Sequence, residues 1–283
     1  MLHIKVYKGH GYWSYLSRQA NLVRSLTMTI PLTDTVETKL YYFVPPADGS
    51  KPYNTINIDP NTGLRERNFG QEEHVHLVEN VRGKEHTVSL DSTGFAFFHA
   101  PSKHKAFDND AEIEAEYYPE SIDLIKKLTG ATRVVLFDHS EQCFLIMVGA
   151  VVYDLSDLAV RRRRPGELET YKARQPVQGV HVDQSGRAAV ARVHRHLPPE
   201  EASELLERRF QIINLWRPIN HPAHDHPLAL CDYRSIDVEK DLVPVTLRYP
   251  DRDGETFGVN YNPDHKWKYL RGMTPDEIVL IKW

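Results

Sequence analysis

Cysteine is scarce in this sequence, which has only Cys143 and Cys231 among its 283 residues. Two cysteines cannot build the disulfide framework of a small secreted protein or a zinc site made of thiolates. The N-terminal stretch MLHIKVYKGHGYWSYL lacks the apolar segment of a secretory signal. These features predict a protein of a reducing, cytoplasmic compartment.

Long hydrophobic runs are missing as well. The longest, CFLIMVGAVV at 143–152, is about half of the roughly 20 apolar residues that a membrane-spanning helix needs. Charge is nearly balanced, with 35 Lys and Arg against 39 Asp and Glu and a net charge of −4. The chain therefore lacks the basic excess of a nucleic-acid or membrane-surface binder, and neither is expected as a partner.

A run of four arginines at 161–164 is a local exception to this balance. Such runs can mark nuclear localisation or nucleic-acid binding. Because the net charge is acidic, we favour a solvated basic turn before Pro165 and Gly166, or a patch that meets an acidic substrate.

Helix signals are few. Residues 117–130 predict a helix with apolar residues at helical spacing and Gly130 as its C-cap. Residues 197–210 predict a second helix, with Pro and Glu in its first turn. Residues 86–100 read as two strands about a turn.

Short β-branched runs broken by Pro and Gly turns fill most of the remaining sequence. They predict a mainly-β protein with a few helices (α+β), built as a sandwich or barrel. Our architecture is a jelly roll of the cupin type, a double-stranded β-helix. We predict one domain over 1–283, in which 1–130 form a strand-rich elaboration plus a helix and 131–283 form the core.

The sequence VHVDQS at 180–185 holds the first chemical candidates. His181 and Asp183 are two apart, so on a strand both side chains point to the same face. An imidazole and a carboxylate are two of the three ligands in the two-His-one-carboxylate triad of non-haem iron oxygenases. By itself the spacing is a weak signal, since Asp183 could equally cap a turn through Gln184, Ser185 and Gly186.

A histidine-rich stretch downstream, NHPAHDHPLALCDYRS, could complete such a site. It contains His221, His224 and His226, any of which could be the third ligand. Arg234 lies ten residues after His224 and could clamp the far carboxylate of 2-oxoglutarate. The alternative is a solvated loop, with Arg234 paired to Asp232 or Asp237.

Several blocks of the sequence resemble, in order, those of the fungal AsaB-like hydroxylase/desaturase family, which includes gibberellin desaturase and aspergillic acid hydroxylase and is related to a cephamycin methoxylation protein. The resemblance covers nearly all of the chain. The blocks are VRGKEHTVSLDSTGF, YYPESIDLIKKLTGATRVVLFDH, PVQGVHVDQS, RFQIINLWRPINHP and NPDHKWKYLRGMTPDEIVLIK.

This resemblance implies an iron(II)- and 2-oxoglutarate-dependent oxidoreductase that hydroxylates or desaturates a small secondary metabolite. It implies that His181 and Asp183 bind the metal. Five further residues match family blocks without an assigned role, and four of them (all but His139) are candidates for the pocket: His139, Arg192, Asn214, Trp216 and Arg217. Arg217 could pair with a carboxylate or form a structural salt bridge.

Two departures from the family pattern bear on activity. The family continues past LIK into segments where we expect the distal iron ligand and the 2-oxoglutarate arginine, so we expect an incomplete jelly roll ending at Trp283. His224 and Arg234 would then be coincidences of spacing. The alternative function is a catalytically inactive relative that acts as a binding or scaffold protein. A further alternative is that His181, Asp183 and one of the three downstream histidines bind a metal without 2-oxoglutarate.

The second departure is the segment 140–160, which has no counterpart in the family pattern and contains the most apolar run of the chain. Our hypothesis is that it is a retained intron. A genuine insertion that covers the pocket is the alternative. If buried, the segment would form an additional strand or helix.

Overall fold

The computed structural model describes residues 3–5, 34–137, 144–148, 166–167 and 176–283. His139, the arginine run at 161–164 and most of 140–160 lie outside these residues. Fifteen strands occur in the described parts: β1 His3–Lys5, β2 Thr35–Val44, β3 Tyr53–Ile58, β4 Arg65–Arg67, β5 Gly70–Asn80, β6 Phe95–His99, β7 Val134–Phe137, β8 Phe144–Val148, β9 His181–Val182, β10 Gln211–Trp216, β11 Leu228–Cys231, β12 Leu242–Arg248, β13 Asp253–Val259, β14 Trp267–Tyr269 and β15 Glu277–Lys282.

Helices are few, as predicted. Those of the described residues are α1 Asp110–Glu112, α2 Tyr118–Thr129, α3 Gly186–His196, α4 Pro199–Leu206 and α5 Val238–Asp241, with a π-helical turn at Ile113–Tyr117 and 3-10 turns at Glu85–Thr87 and Tyr233–Ser235. None is long and apolar enough to cross a membrane.

The predicted helix at 117–130 is confirmed as α2. Gly130 ends it with a φ of 72°, the left-handed conformation that costs glycine little because it has no Cβ. The second predicted helix is also present, although α4 is shorter than 197–210.

One local prediction was wrong, and one alternative reading differs from the structure. Residues 86–100 contain one strand, β6, because Glu85–Thr87 form a 3-10 turn rather than a strand. Gly186, which the alternative reading of VHVDQS places in a turn, begins α3. The Ser185 hydroxyl accepts a hydrogen bond from the backbone N–H of Ala188 at 3.1 Å, and this N-cap outweighs the low helix propensity of one glycine.

The strands form two sheets. The first has ten strands in the order β2-β5-β14-β11-β1-β9-β13-β12-β3-β4, and the second has five in the order β6-β15-β10-β8-β7. The second sheet is covered on both faces, since Ile278 and Leu280 of β15 pack with α2 while Val279 and Ile281 pack with Leu228 and Leu230 of the first sheet. This explains why β15 reads as a continuous apolar run despite its antiparallel neighbours.

The strand β8 lies inside the unmatched segment 140–160. It pairs antiparallel with β10 on one side and with β7 on the other. An internal strand of a sheet fits the reading of this segment as an additional structural element. The retained-intron idea stays a hypothesis.

A buried polar network fixes the β2 side of the first sheet. Trp267 Nε1 donates to Tyr42 Oη at 2.9 Å, which lies 3.0 Å from His76 Nε2 and 3.2 Å from His265 Nδ1. His265 Nε2 lies 2.9 Å from Asp241 Oδ2. Burial raises the pKa of Tyr42, lowers that of His265, and lowers that of His76 to about 4, so both imidazoles are neutral at pH 7.

Cys231 packs in the same core. It lies on β11 beside Ala229 and is completely buried. Burial raises the pKa of its thiol to about 12.

The network predicts a pH-dependent stability to which His76 contributes. Between the ordinary histidine pKa of 6.5 and a folded value of about 4, the unfolded chain binds a proton that folded His76 does not. Its contribution is therefore present above pH 6.5 and is lost as the pH falls towards 4, by at most about 3 kcal/mol. Urea unfolding of wild type and His76→Gln from pH 7.5 to 4.5 should show a flatter profile in the variant.

Exposed His86 provides the control for this experiment. His86→Gln should keep the wild-type profile. An equally steep loss of stability in His76→Gln would contradict the assignment.

The position of β8 predicts slow amide exchange. Peptides covering 144–148 should be protected from hydrogen exchange to a similar degree as peptides covering β10, because strands internal to a sheet open only with the larger unit. The turn at 59–63 provides a fast-exchanging reference. Exchange of 144–148 at the rate of that turn would contradict the sheet position and favour the intron hypothesis.

Candidate metal centre

His181 lies on β9, in the middle of the first sheet, where its backbone pairs with Gly258 of β13. Its Nδ1 lies 2.7 Å from the carbonyl oxygen of Gly179. A carbonyl only accepts, so Nδ1 carries a proton, and Nε2 is the ring nitrogen that faces away from the backbone. Metal-binding histidines are commonly oriented in this way by a backbone carbonyl.

The carboxylate of Asp183 faces His181 Nε2. His181 Nε2 and Asp183 Oδ1 are 3.1 Å apart. Two ligand atoms at about 2.1 Å from an octahedral cation, on adjacent positions, lie about 3.0 Å from each other. The pair therefore has the spacing of two neighbouring ligands, and the side-chain exposures of 20% and 22% leave the site open to a ligand.

The other oxygen of Asp183 is held by the second sheet. Asn214, completely buried on β10, donates from Nδ2 to Asp183 Oδ2 at 3.2 Å. Asn214 in turn accepts at Oδ1 from the indole Nε1 of Trp283 at 2.8 Å. The candidate centre thus lies where the two sheets meet.

The chain just after Asp183 is tied to β13. The Ser185 hydroxyl donates to Glu255 Oε1 at 2.7 Å, and Arg187 contacts the same carboxylate at 3.2 and 2.7 Å. The Arg187 guanidinium holds the pKa of Glu255 below its ordinary value. Within α3, buried Arg192 donates from Nε to Gln184 Oε1 at 2.9 Å. These contacts fix the backbone that carries Asp183.

His181 and Asp183 fit two positions of an iron triad, and the structure does not bring His224 to them. Within the described ranges, no three His, Cys, Asp or Glu side chains form a group that could hold a metal ion. His224 is exposed, and its ring lies beside Gly272. The Nδ1 of His221 lies 3.1 Å from the carbonyl oxygen of Pro222, and His226 has Asp225 as its charged neighbour at 3.9 Å.

Arg234 occupies a different place from the one its spacing suggested. It contacts Asp232 with two nitrogens, Nε at 2.9 Å and Nη2 at 2.7 Å. It lines an open depression of about 1070 Å³ together with Lys240, Lys266 and other charged residues, and neither His181 nor Asp183 lines that depression. Arg234 thus forms the ion pair with Asp232 that the alternative reading of this stretch predicts.

The remaining pocket candidates differ in their surroundings. Trp216 packs with the apolar cluster between the sheets. Arg217 donates to the carbonyl oxygen of Pro275 at 2.6 Å and to Tyr117 Oη at 3.1 Å, which ties the end of β10 to the π-helical turn.

Sequence reasoning did not identify Trp283 as a site residue. The only available signal for its contact with Asn214 was the polar Asn214 inside the apolar run IINLW.

A family model described as "Oxidoreductase/YMDC permease-like domain" matches residues 40–283. The hydroxylase/desaturase CTB9 of Cercospora beticola is 32% identical, over 91% of this chain and 86% of that protein. The Fe(II)/2-oxoglutarate-dependent dioxygenase nvfI of Aspergillus novofumigatus is 29% identical, over 85% and 80%.

A solved structure is similar in fold. The iron and alpha-ketoglutarate-dependent endoperoxidase NvfI matches with a TM-score of 0.66 at 25% identity, and the match covers 88% of this chain and 84% of that chain. The fold of the present structure is thus similar to that of a protein named for its iron and alpha-ketoglutarate dependence.

The anchoring of Asp183 predicts a large effect at Ser185. Ser185→Ala removes the N-cap of α3 and the hydrogen bond to Glu255, so urea unfolding should show a loss of about 2 kcal/mol. The control is Ser203→Ala on α4, where the exposed hydroxyl donates back to Pro199 and its loss should cost less than about 0.5 kcal/mol. Equal losses in the two variants would contradict the cap.

Proposed function

Because the chain belongs to the fungal hydroxylase/desaturase family, we propose that it is an iron(II)- and 2-oxoglutarate-dependent oxidoreductase that hydroxylates or desaturates a small natural product. The observation that carries this proposal is the 3.1 Å approach of His181 Nε2 to Asp183 Oδ1, with each side chain anchored on its far side. Bound iron(II) with 2-oxoglutarate would supply the oxidation of an unactivated C–H bond.

The residues of this chain have distinct tasks in the proposed site. His181 presents a neutral nitrogen ligand, because Gly179 holds the proton on Nδ1. Asp183 presents one anionic oxygen, which offsets part of the charge of a divalent cation. Arg192, Asn214 and Trp216 are proposed to line or support the pocket, whereas the contacts of Arg217 suit a structural task.

We further propose that the third metal ligand and the group that binds 2-oxoglutarate lie outside the described residues. His224 is exposed, and Arg234 is engaged by Asp232, so neither is offered for these tasks. A chain without such groups would correspond to the alternative reading, an inactive relative that binds small molecules.

Three further proposals complete this picture. The two sheets correspond to the halves of a cupin-type jelly roll, within a single domain over 1–283. The segment around β8 is an addition to that core. The reaction takes place in the cytoplasm, where reducing conditions keep the metal in its iron(II) state.

Uncoupled turnover tests the proposed function without knowledge of the substrate. The purified chain with iron(II) and 2-oxoglutarate should form succinate, measured by mass spectrometry. His181→Ala should reduce the rate more than about 100-fold, because even residues that merely support metal ligands typically cost 10–100-fold. His224→Ala and Arg234→Ala should retain wild-type rates.

Two results would count against the proposal. Absence of succinate in the wild type would leave the inactive-relative reading. Loss of turnover in His224→Ala with an unchanged melting temperature would show that the third ligand is His224 after all.

A further inference from the structure

The two oxygens of Asp183 face different partners. Oδ1 lies 3.1 Å from His181 Nε2, whereas Oδ2 accepts from Asn214 Nδ2 at 3.2 Å. A carboxylate held at one oxygen by a neutral donor has its rotation restricted. Only the other oxygen then remains directed towards the place where a metal would share His181.

The orientation of the Asn214 amide follows from Trp283. An indole N–H can only donate, so the atom 2.8 Å from Trp283 Nε1 must be the amide oxygen of Asn214. The NH₂ group consequently points to Asp183, which as a carboxylate can only accept. Rotating the amide by 180° would place a donor against the indole and an acceptor against the carboxylate. Because Asn214 is completely buried, water does not compensate for such a reversal.

Trp283 itself is fixed on both sides. Its backbone N–H donates to the carbonyl oxygen of Ile212 at 3.0 Å, two residues before Asn214 on the same strand. Its ring packs against three of the apolar clusters. These contacts therefore fix the position of the indole beside the amide of Asn214.

We propose that Trp283 and Asn214 are positioning residues that make Asp183 a one-oxygen metal ligand: the indole N–H orients the Asn214 amide, and the amide holds Oδ2 so that Oδ1 alone faces the metal. This inference rests on the proposed metal site at His181 and Asp183 and adds a function to Trp283. Neither residue contacts the metal.

Metal binding by the full chain tests this proposal without any turnover. Metal-free protein is titrated with Co²⁺ in the absence of 2-oxoglutarate, and the dissociation constant and the visible ligand-field bands are recorded. Trp283→Phe keeps an aromatic ring and removes the donor. It should weaken Co²⁺ binding about 10-fold or more and shift the bands, because Asp183 becomes free to bind through both oxygens.

Trp267→Phe is the matched control. It removes another buried indole donor, the one to Tyr42, which lies outside the proposed positioning chain. It should lower the melting temperature but leave both the Co²⁺ affinity and the bands as in the wild type. The comparison separates a loss of stability from a loss of positioning.

A double-mutant cycle tests whether Trp283 acts through Asn214. Asn214→Leu, of similar size, should weaken binding about 10- to 100-fold. Adding Trp283→Phe to Asn214→Leu should change the dissociation constant no further, because the amide that the indole orients is gone. If Asn214→Leu does not fold, the pair Trp283→Phe and Trp267→Phe still decides.

The outcomes distinguish this inference from the proposed function. If the wild type shows no Co²⁺ binding that His181→Ala removes, the metal site fails, and the positioning proposal fails with it. If His181-dependent binding is present but Trp283→Phe binds Co²⁺ with unchanged affinity and bands, the metal site stands and the positioning proposal is overturned. If the effects of Trp283→Phe and Asn214→Leu on the dissociation constant add up in the double variant, Trp283 does not act through Asn214, and that part of the proposal is overturned.

Discussion

The hydrogen bond from Asn214 to Asp183 joins the two sheets at the candidate metal centre. His181 lies on β9 of the first sheet and Asp183 directly follows that strand, whereas Asn214, which holds Asp183, lies on β10 of the second sheet. The spacing of the sheets therefore enters the geometry of the site. Val279, Ile281 and their partners Leu228 and Leu230 set that spacing by close packing, so these apolar residues shape the centre without contacting it.

The elements that the sequence predicted well are those specified locally. The helix α2 has its own apolar face and a glycine to end it, and the strands β7, β10, β12 and β15 coincide with β-branched runs. The helix α3 was missed because Gly186 is a usual turn residue, while the Ser185 cap and the packing of Val193 favour the helix. Residues 86–100 alternate like strands, but the 3-10 turn at Glu85–Thr87 replaces the first of them.

In the candidate site, too, only the locally specified part could be predicted from the sequence. A two-residue spacing on a strand puts His181 and Asp183 on one face, and that much follows from the sequence. The ten-residue spacing from His224 to Arg234 carried no such constraint, because a carboxylate two residues away satisfies Arg234. Asn214 and Trp283 are separated by 69 residues. Their contact depends on the pairing of β15 with β10, which places Trp283 beside Asn214. No local sequence pattern predicts that pairing.

The burial of Cys231 has a chemical consequence for the oxygen chemistry proposed for this protein. With a pKa of about 12, on the order of one thiol in 10⁵ is ionised at neutral pH, and the thiolate is the form that oxidants attack. Its side chain is also closed to solvent. Peroxide or superoxide released by an incomplete reaction would therefore find no nucleophilic sulfur at this position, and the core around β11 would tolerate the by-products of the proposed chemistry.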